Sequence, residues 1–135
     1  MPHPPLPDDL RALLEKPNPS VIATLRKDGQ PVTVATWYVM DGDRVLVNMD
    51  HTRVRLKHLE RDPRVSLTVL DEAGWYTHVS LVGRVVEMQE DEGLADIDRI
   101  AKHYTGKAYS VRDSPRFSAW IEIDRYHGWG KARGR

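Results

Sequence analysis

The pairs Asp28-Gly29 and Asp41-Gly42, each set between β-branched and apolar stretches, constrain this chain more than any other feature. Asp-Gly supplies positive φ at little cost, so it reads as a tight hairpin turn between antiparallel strands. The segments so joined are Ser20 to Arg26, Pro31 to Met40 and Arg44 to Met49, and together they predict an antiparallel meander. Further on, Arg64 to Leu70 and Trp75 to Glu87 read as strands around a turn at Asp71-Glu72-Ala73-Gly74, with Gly83 a point of bending or bulging. Phe117 to Asp124 is the last strand, its Phe117, Ala119, Ile121 and Ile123 alternating to one side. Gly128-Trp129-Gly130 reads as a turn or tail.

Helical spacing occurs three times. Asp8 can cap a short helix to about Lys16, with Leu10, Leu13 and Leu14 on one face, ended by Pro17 and Pro19. Thr52 opens a second, running to Arg61 and stopped by Asp62-Pro63. Asp91 to Tyr104 is the third, with Leu94, Ile97, Ala101 and Tyr104 at helical spacing. Four prolines among the first seven residues make 1–7 a flexible or extended lead-in, and 8–135 reads as one domain. Six strands are too few for a sandwich that covers itself, and a closed or partly closed barrel removes the edges best. The expected class is α+β, a six-stranded antiparallel β-barrel with short flanking helices.

Composition narrows the function. Twenty Lys plus Arg balance 20 Asp plus Glu among 135 residues, so no basic excess favours nucleic acid or a membrane surface, and self-association meets little charge repulsion. An RNA-binding barrel would carry aromatics interleaved with Lys and Arg on a sheet face, and these strands hold few basic residues. Without cysteine, thiol catalysis, disulfides and Cys-ligated metals are excluded. No apolar run reaches the ~20 residues that span a bilayer, and Met1-Pro2-His3-Pro4-Pro5 does not resemble a signal peptide, so the cytoplasm is expected. A nucleophile elbow, a phosphate-binding loop and a dinucleotide fingerprint are all missing, and the six histidines fall in no metal-ligand spacing.

The informative stretch is Asn48 to Arg64. With Thr52 as N-cap and ~100° per residue, Arg53, Lys57 and Arg61 form one stripe, while Arg55 lies beside Leu59 on the apolar side. A guanidinium pushed toward a core is costly unless it meets an anion. One reading is a phosphate site built from the helix start at Thr52 with Arg53 and Arg55. The other is a solvated basic face, with Arg55 snorkelling or paired to Glu122 or Asp124.

A family resemblance enters here. Gly29-Gln30-Pro31 through Trp37-Tyr38, Leu46-Val47-Asn48-Met49, Thr52-Arg53-x-Arg55-x-Lys57-x-Leu59-x-Arg61-Asp62-Pro63-Arg64-Val65 and His78 to Arg84 resemble the flavin- and deazaflavin-binding split β-barrels related to pyridoxamine 5′-phosphate oxidase. The similarity runs from about Ser20 to Asp124. It implies a homodimer with its cofactor in a cleft between two barrels. By position, Arg53 and Arg55 would bind the cofactor phosphate, although the family usually has Lys where this chain has Arg55. The backbone of Val34, Ala35, Thr36 and Trp37 would line the tricyclic ring, and Asn48 and Met49 would lie near the ribityl chain. Trp75 and Trp129 would close the cleft from the other protomer. The resemblance points to the branch using coenzyme F420, whose glutamate tail the Arg53, Lys57 and Arg61 stripe would suit, with FMN the alternative. The implied reaction moves a hydride from the reduced cofactor to an electron-poor small molecule, with a proton from solvent, Tyr38, His78 or Tyr104. A non-catalytic flavin or deazaflavin carrier is the rival from another class.

Overall fold

The computed structural model describes residues 1–134. Helix α1 spans Asp8–Leu14, and it is followed by β1 (Ser20–Leu25), β2 (Pro31–Thr36), β3 (Val39–Asp41) and β4 (Arg44–Asp50). Helix α2 (Val54–Arg61) leads into β5 (Arg64–Leu70) and β6 (His78–Glu90). A 3-10 turn at Glu92–Leu94, helix α3 (Ala95–Thr105) and β7 (Arg116–Trp129) complete the chain. All seven strands form one antiparallel sheet in the order β2-β1-β5-β6-β7-β4-β3.

Seven strands stand where six were expected, because the Pro31 to Met40 segment is two strands. It breaks at Trp37-Tyr38: β2 pairs with β1, β3 pairs with β4, and the two lie at opposite ends of the sheet order. The continuous meander is therefore two separate hairpins. Thr36 and Val39 are three Cα steps apart, no more than ~11 Å of extended chain, so the two ends of the sheet must lie close together. The sheet is thus rolled into a barrel that stays open along the β2/β3 seam. Side-chain demands at the break explain it. Tyr38 is fully buried, with its hydroxyl donating to the Leu14 carbonyl at 2.7 Å, whereas Trp37 turns outward onto Tyr104.

Alternation along β4 and β7 feeds two cores. Val45, Val47 and Met49 point into the barrel with Ala119, Ile121 and Ile123. Leu46 and Trp120 face the other way and pack under Ile97 and Ile100 of α3. At Gly83 the long β6–β7 ribbon shifts register, and a Cβ there would run into the Glu122 carbonyl. The lead-in is extended along the barrel, with Leu6 buried and the Pro2 carbonyl accepting the Tyr126 N–H at 3.1 Å.

Several element ends differ from expectation. Pro7, not Asp8, occupies the N-cap of α1, and the helix stops at Leu14. Thr52 does not cap α2. Its N–H and hydroxyl both bond Asp50 Oδ1, at 2.9 and 2.7 Å, so the extended Arg53 takes the N-cap position. Trp75 lies in the turn before β6 rather than in the strand. Helix α3 starts at Ala95 because Gly93 (φ 69°) and Leu94 (φ 59°) are left-handed and interrupt the helix. Gly128 and Trp129 belong to β7, where β6 offers partners as far as His78↔Trp129. No helix of the described residues is long and apolar enough to cross a membrane.

Candidate functional site

A cleft of about 550 Å³ opens beside the seam. The end of β2 contributes Ala35, Thr36 and the break residue Trp37, while β1 contributes Ser20 after Pro17 and Pro19. Asn48 comes from β4 and Arg55 from the first turn of α2. Ile97 and Tyr104 of α3, Tyr109 of the following loop and Arg116 at the start of β7 form the rest.

One wall is aromatic. The rings of Trp37 and Tyr104 stack with centroids 5.1 Å apart and planes at 10°, and Tyr109 meets Trp37 edge-on at 6.4 Å. Tyr104 is held at its hydroxyl, which donates to the Asn18 carbonyl at 2.7 Å and accepts the Tyr38 N–H at 3.4 Å. Burial pushes its phenol up to about 12. The Tyr38 phenol is also raised, first by burial and then by Tyr104.

The adjoining part of the lining is cationic. Arg55 is half-buried and pairs with no carboxylate among the described residues; desolvation, then Arg53, then Arg116, lower its pKa. The partners considered for it are taken elsewhere: Arg84 holds both Glu122 and Asp124. Arg116 donates from Nε to Asn48 Oδ1 at 2.7 Å and lies 4.7 Å from the Tyr109 ring centroid. Asn48 in turn donates both amide protons, to Asp91 Oδ2 at 3.1 Å and Ser118 Oγ at 3.0 Å. Asp91 is anchored by the backbone N–H groups of Asp96 and Ile97, both at 2.9 Å. A chain of hydrogen bonds thus runs from the start of α3 to a guanidinium at the cleft wall.

Of the residues singled out in the sequence, Ala35, Thr36, Trp37, Asn48 and Arg55 line this cleft. Val34 is exposed on β2 outside the lining, and Met49 is fully buried in the barrel. Strand alternation separates Met49 from Asn48, so only one of the two can face the cleft. Thr52, Arg53, Lys57 and Arg61 are exposed around α2. Trp75, 71% exposed, lies with Tyr76, Lys131 and Arg133 on a wider depression of about 1010 Å³. Trp129 stacks on His78 at 5.8 Å, and neither lines the cleft. We place the site in the smaller cleft because there half-buried cations without counter-ions share a lining with a preformed aromatic wall. Arg116 and Tyr109 went unread in the sequence. The faint signal was a cation opening a strand on the same side as Ser118 and Trp120.

An antiparallel sheet rolled into a barrel and left open at one seam, with a polar and aromatic cleft beside it, defines the split-barrel class. The model of the family described as pyridoxamine 5′-phosphate oxidase matches residues 6–130, and the chain belongs to that family. Solved structures share the fold. A protein named F420 reductase superimposes with a TM-score of 0.82 at 23% identity, covering 90% of this chain and 98% of its own. General Stress Protein 26 from Bacillus anthracis gives 0.68 at 14% identity, covering 90% and 92%. A conserved hypothetical protein from Mycobacterium tuberculosis gives 0.66 at 22% identity, covering 87% and 80%.

Proposed function

We propose that this protein is an oxidoreductase that binds coenzyme F420 in the cleft beside the seam and reduces an electron-poor small molecule. The observation that carries the reading is Arg55: a half-buried guanidinium with no carboxylate partner among the described residues, lining the same cleft as a stacked aromatic pair. A charge so placed is stabilised by an anion. A phosphate ester on an aromatic ring system meets both halves of the cleft, so the residues present fit the cofactor. The fold shared with a protein named F420 reductase favours the deazaflavin over FMN, and the exposed stripe of Arg53, Lys57 and Arg61 suits a carboxylate tail.

When bound, reduced F420 supplies a hydride. Arg55 anchors the phosphate, and the Trp37–Tyr104 wall limits where a flat ring can lie and keeps water from one side. Reduction of a carbon–carbon double bond needs one hydride and one proton. The Tyr104 hydroxyl proton is committed to the Asn18 carbonyl at 2.7 Å and so is not aimed at a ligand in the cleft. Tyr38 is buried and His78 lies outside the cleft. Solvent is the proton source we assign, and Tyr104 acts as a fixed hydrogen-bonding wall.

We also propose a homodimer that closes over β2. This edge strand is exposed on both faces, with Val32 and Val34 39% and 41% exposed, and Trp37 just after it is 37% exposed in the cleft lining. A flat apolar edge of this kind invites a second chain.

The test is a paired titration of the purified protein with F420 and FMN, followed by fluorescence, and then reoxidation of the reduced complex with enones and quinones. Tight F420 binding with substrate-accelerated reoxidation supports the proposal. Preference for FMN moves the protein to the flavin reading. Tight binding without acceleration by any acceptor makes it a carrier.

A further inference from the structure

We infer that Arg116 is a second phosphate-binding group of the cleft, acting together with Arg55 on one anionic group, and that Asn48 is the positioning residue that aims it. The inference deepens the proposed cofactor reading and rests on it for the identity of the ligand.

Arg116 enters the cleft from β7, some 60 residues along the chain from Arg55, so the two cations come together only in the fold. They are close enough for Arg116 to lower the pKa of Arg55. Neither takes part in an ion pair among the described residues, although eight arginine–carboxylate pairs occur elsewhere among them. Two like charges held together without a counter-ion are relieved by an anion that bridges them.

The guanidinium of Arg116 is also constrained. Its Nε edge is spent on Asn48 Oδ1, and its Cζ lies over the Tyr109 ring, 4.7 Å from the centroid. Nη1 makes only a long 3.5 Å contact with the Tyr109 hydroxyl, and among the described residues no bond engages Nη2. The terminal nitrogens therefore remain to donate to a ligand. Asn48 cannot swing away, because both of its amide protons are held by Asp91 and Ser118. Ser118 donates onward to Asp96 Oδ2 at 2.6 Å. This removes rotamer freedom before a ligand arrives, which is the arrangement that makes an arginine fork effective. With its donors spent internally, Asn48 acts on the anion through Arg116.

Ligands with and without the phosphate test this, since a structural defect weakens both alike and loss of a phosphate contact weakens only one. Affinities of F420, FMN, riboflavin and the dephosphorylated deazaflavin would be measured for wild type, Arg116→Met, Arg116→Lys, Asn48→Ala and the Arg116→Met/Asn48→Ala double variant. Arg116→Met is expected to weaken the phosphorylated ligand about 10- to 100-fold and to leave its dephosphorylated counterpart within about threefold. Arg116→Lys should fall between. Asn48→Ala should lose part of the same increment and add little to Arg116→Met, as expected for residues acting as a unit. Equal losses for ligands with and without phosphate, or unchanged affinity in both Arg116 variants, would overturn the inference. If wild type binds none of the four, the cofactor reading fails separately. The clamp is then decided with inorganic pyrophosphate, which should raise the melting temperature of wild type but not of Arg116→Met; equal or absent shifts would sink it.

Discussion

The indole of Trp37 lies nearly parallel on the phenol ring of Tyr104, centroids 5.1 Å apart, and this contact ties the break between β2 and β3 to helix α3. The same pair forms the aromatic wall of the cleft, so the feature that splits the strand also shapes the site. Trp37→Ala should remove roughly 1 kcal/mol of ring–ring attraction and weaken binding of F420, read by calorimetry. Affinity unchanged from wild type would take the wall out of the binding site.

Arg55→Ala tests the cation that the cofactor reading depends on. Loss of a charge-assisted bond to a phosphate should cost roughly 2 kcal/mol of binding. Stability of the ligand-free protein should not fall with it, because the substitution removes a desolvated charge next to Arg53 and Arg116. Titration alongside a thermal melt separates the two effects.

The proton source is tested with Tyr104→Phe. If solvent supplies the proton, turnover should stay within several-fold of wild type, whereas an obligatory donor would cost ~100-fold or more. Single-turnover oxidation of the reduced complex is the measurement. A large loss would return Tyr104 to the role of general acid.

Alkaline pH should unfold this protein by a particular route. Tyr104 titrates near 12 in the fold, against about 10 in an unfolded chain. Below pH 10 both states keep the proton, and the stabilisation is fully present. Between 10 and 12 the unfolded chain sheds a proton that the native state keeps, so stability falls as pH rises. Tyr38, raised in the same direction, steepens the loss. Phenolate absorbance at a pH near 11 should therefore rise on adding urea, and Tyr104→Phe should flatten the dependence.

Gly83→Ala probes the long β6–β7 ribbon at the middle of the sheet. A Cβ meets the backbone carbonyl of Glu122, which cannot move without breaking the β6–β7 register. A cost of about 2 kcal/mol is expected, read by urea unfolding. At the barrel edge, Val34→Glu should convert a dimer to a monomer in light scattering while leaving the far-ultraviolet spectrum unchanged. A wild-type protein already monomeric would end the dimer proposal.

Much of the architecture is local and was legible as sequence. The turns at Asp28-Gly29 and Asp41-Gly42, the leucine face of α1 and the odd position of Arg55 each depend on residues only a few places apart, where φ preference and periodicity act directly. The break at Trp37-Tyr38 was not legible, because the run from Val32 to Met40 holds no turn residue and looks like one strand until Leu14 and Tyr104 arrive to claim the two rings. Arg116 was hidden for the same reason. The register that sets Asn48 opposite Ser118 and Asp50 opposite Arg116 brings positions 48 and 116 within hydrogen-bond reach. By itself the sequence determined the rough placement of most strands and helices, but not their ends, and that one cation lies on the apolar side of α2. Only the tertiary structure decided that the sheet opens at a seam and that a second arginine is aimed beside the first, because pairing between distant segments is a property of the rolled sheet as a whole and not of any stretch within it.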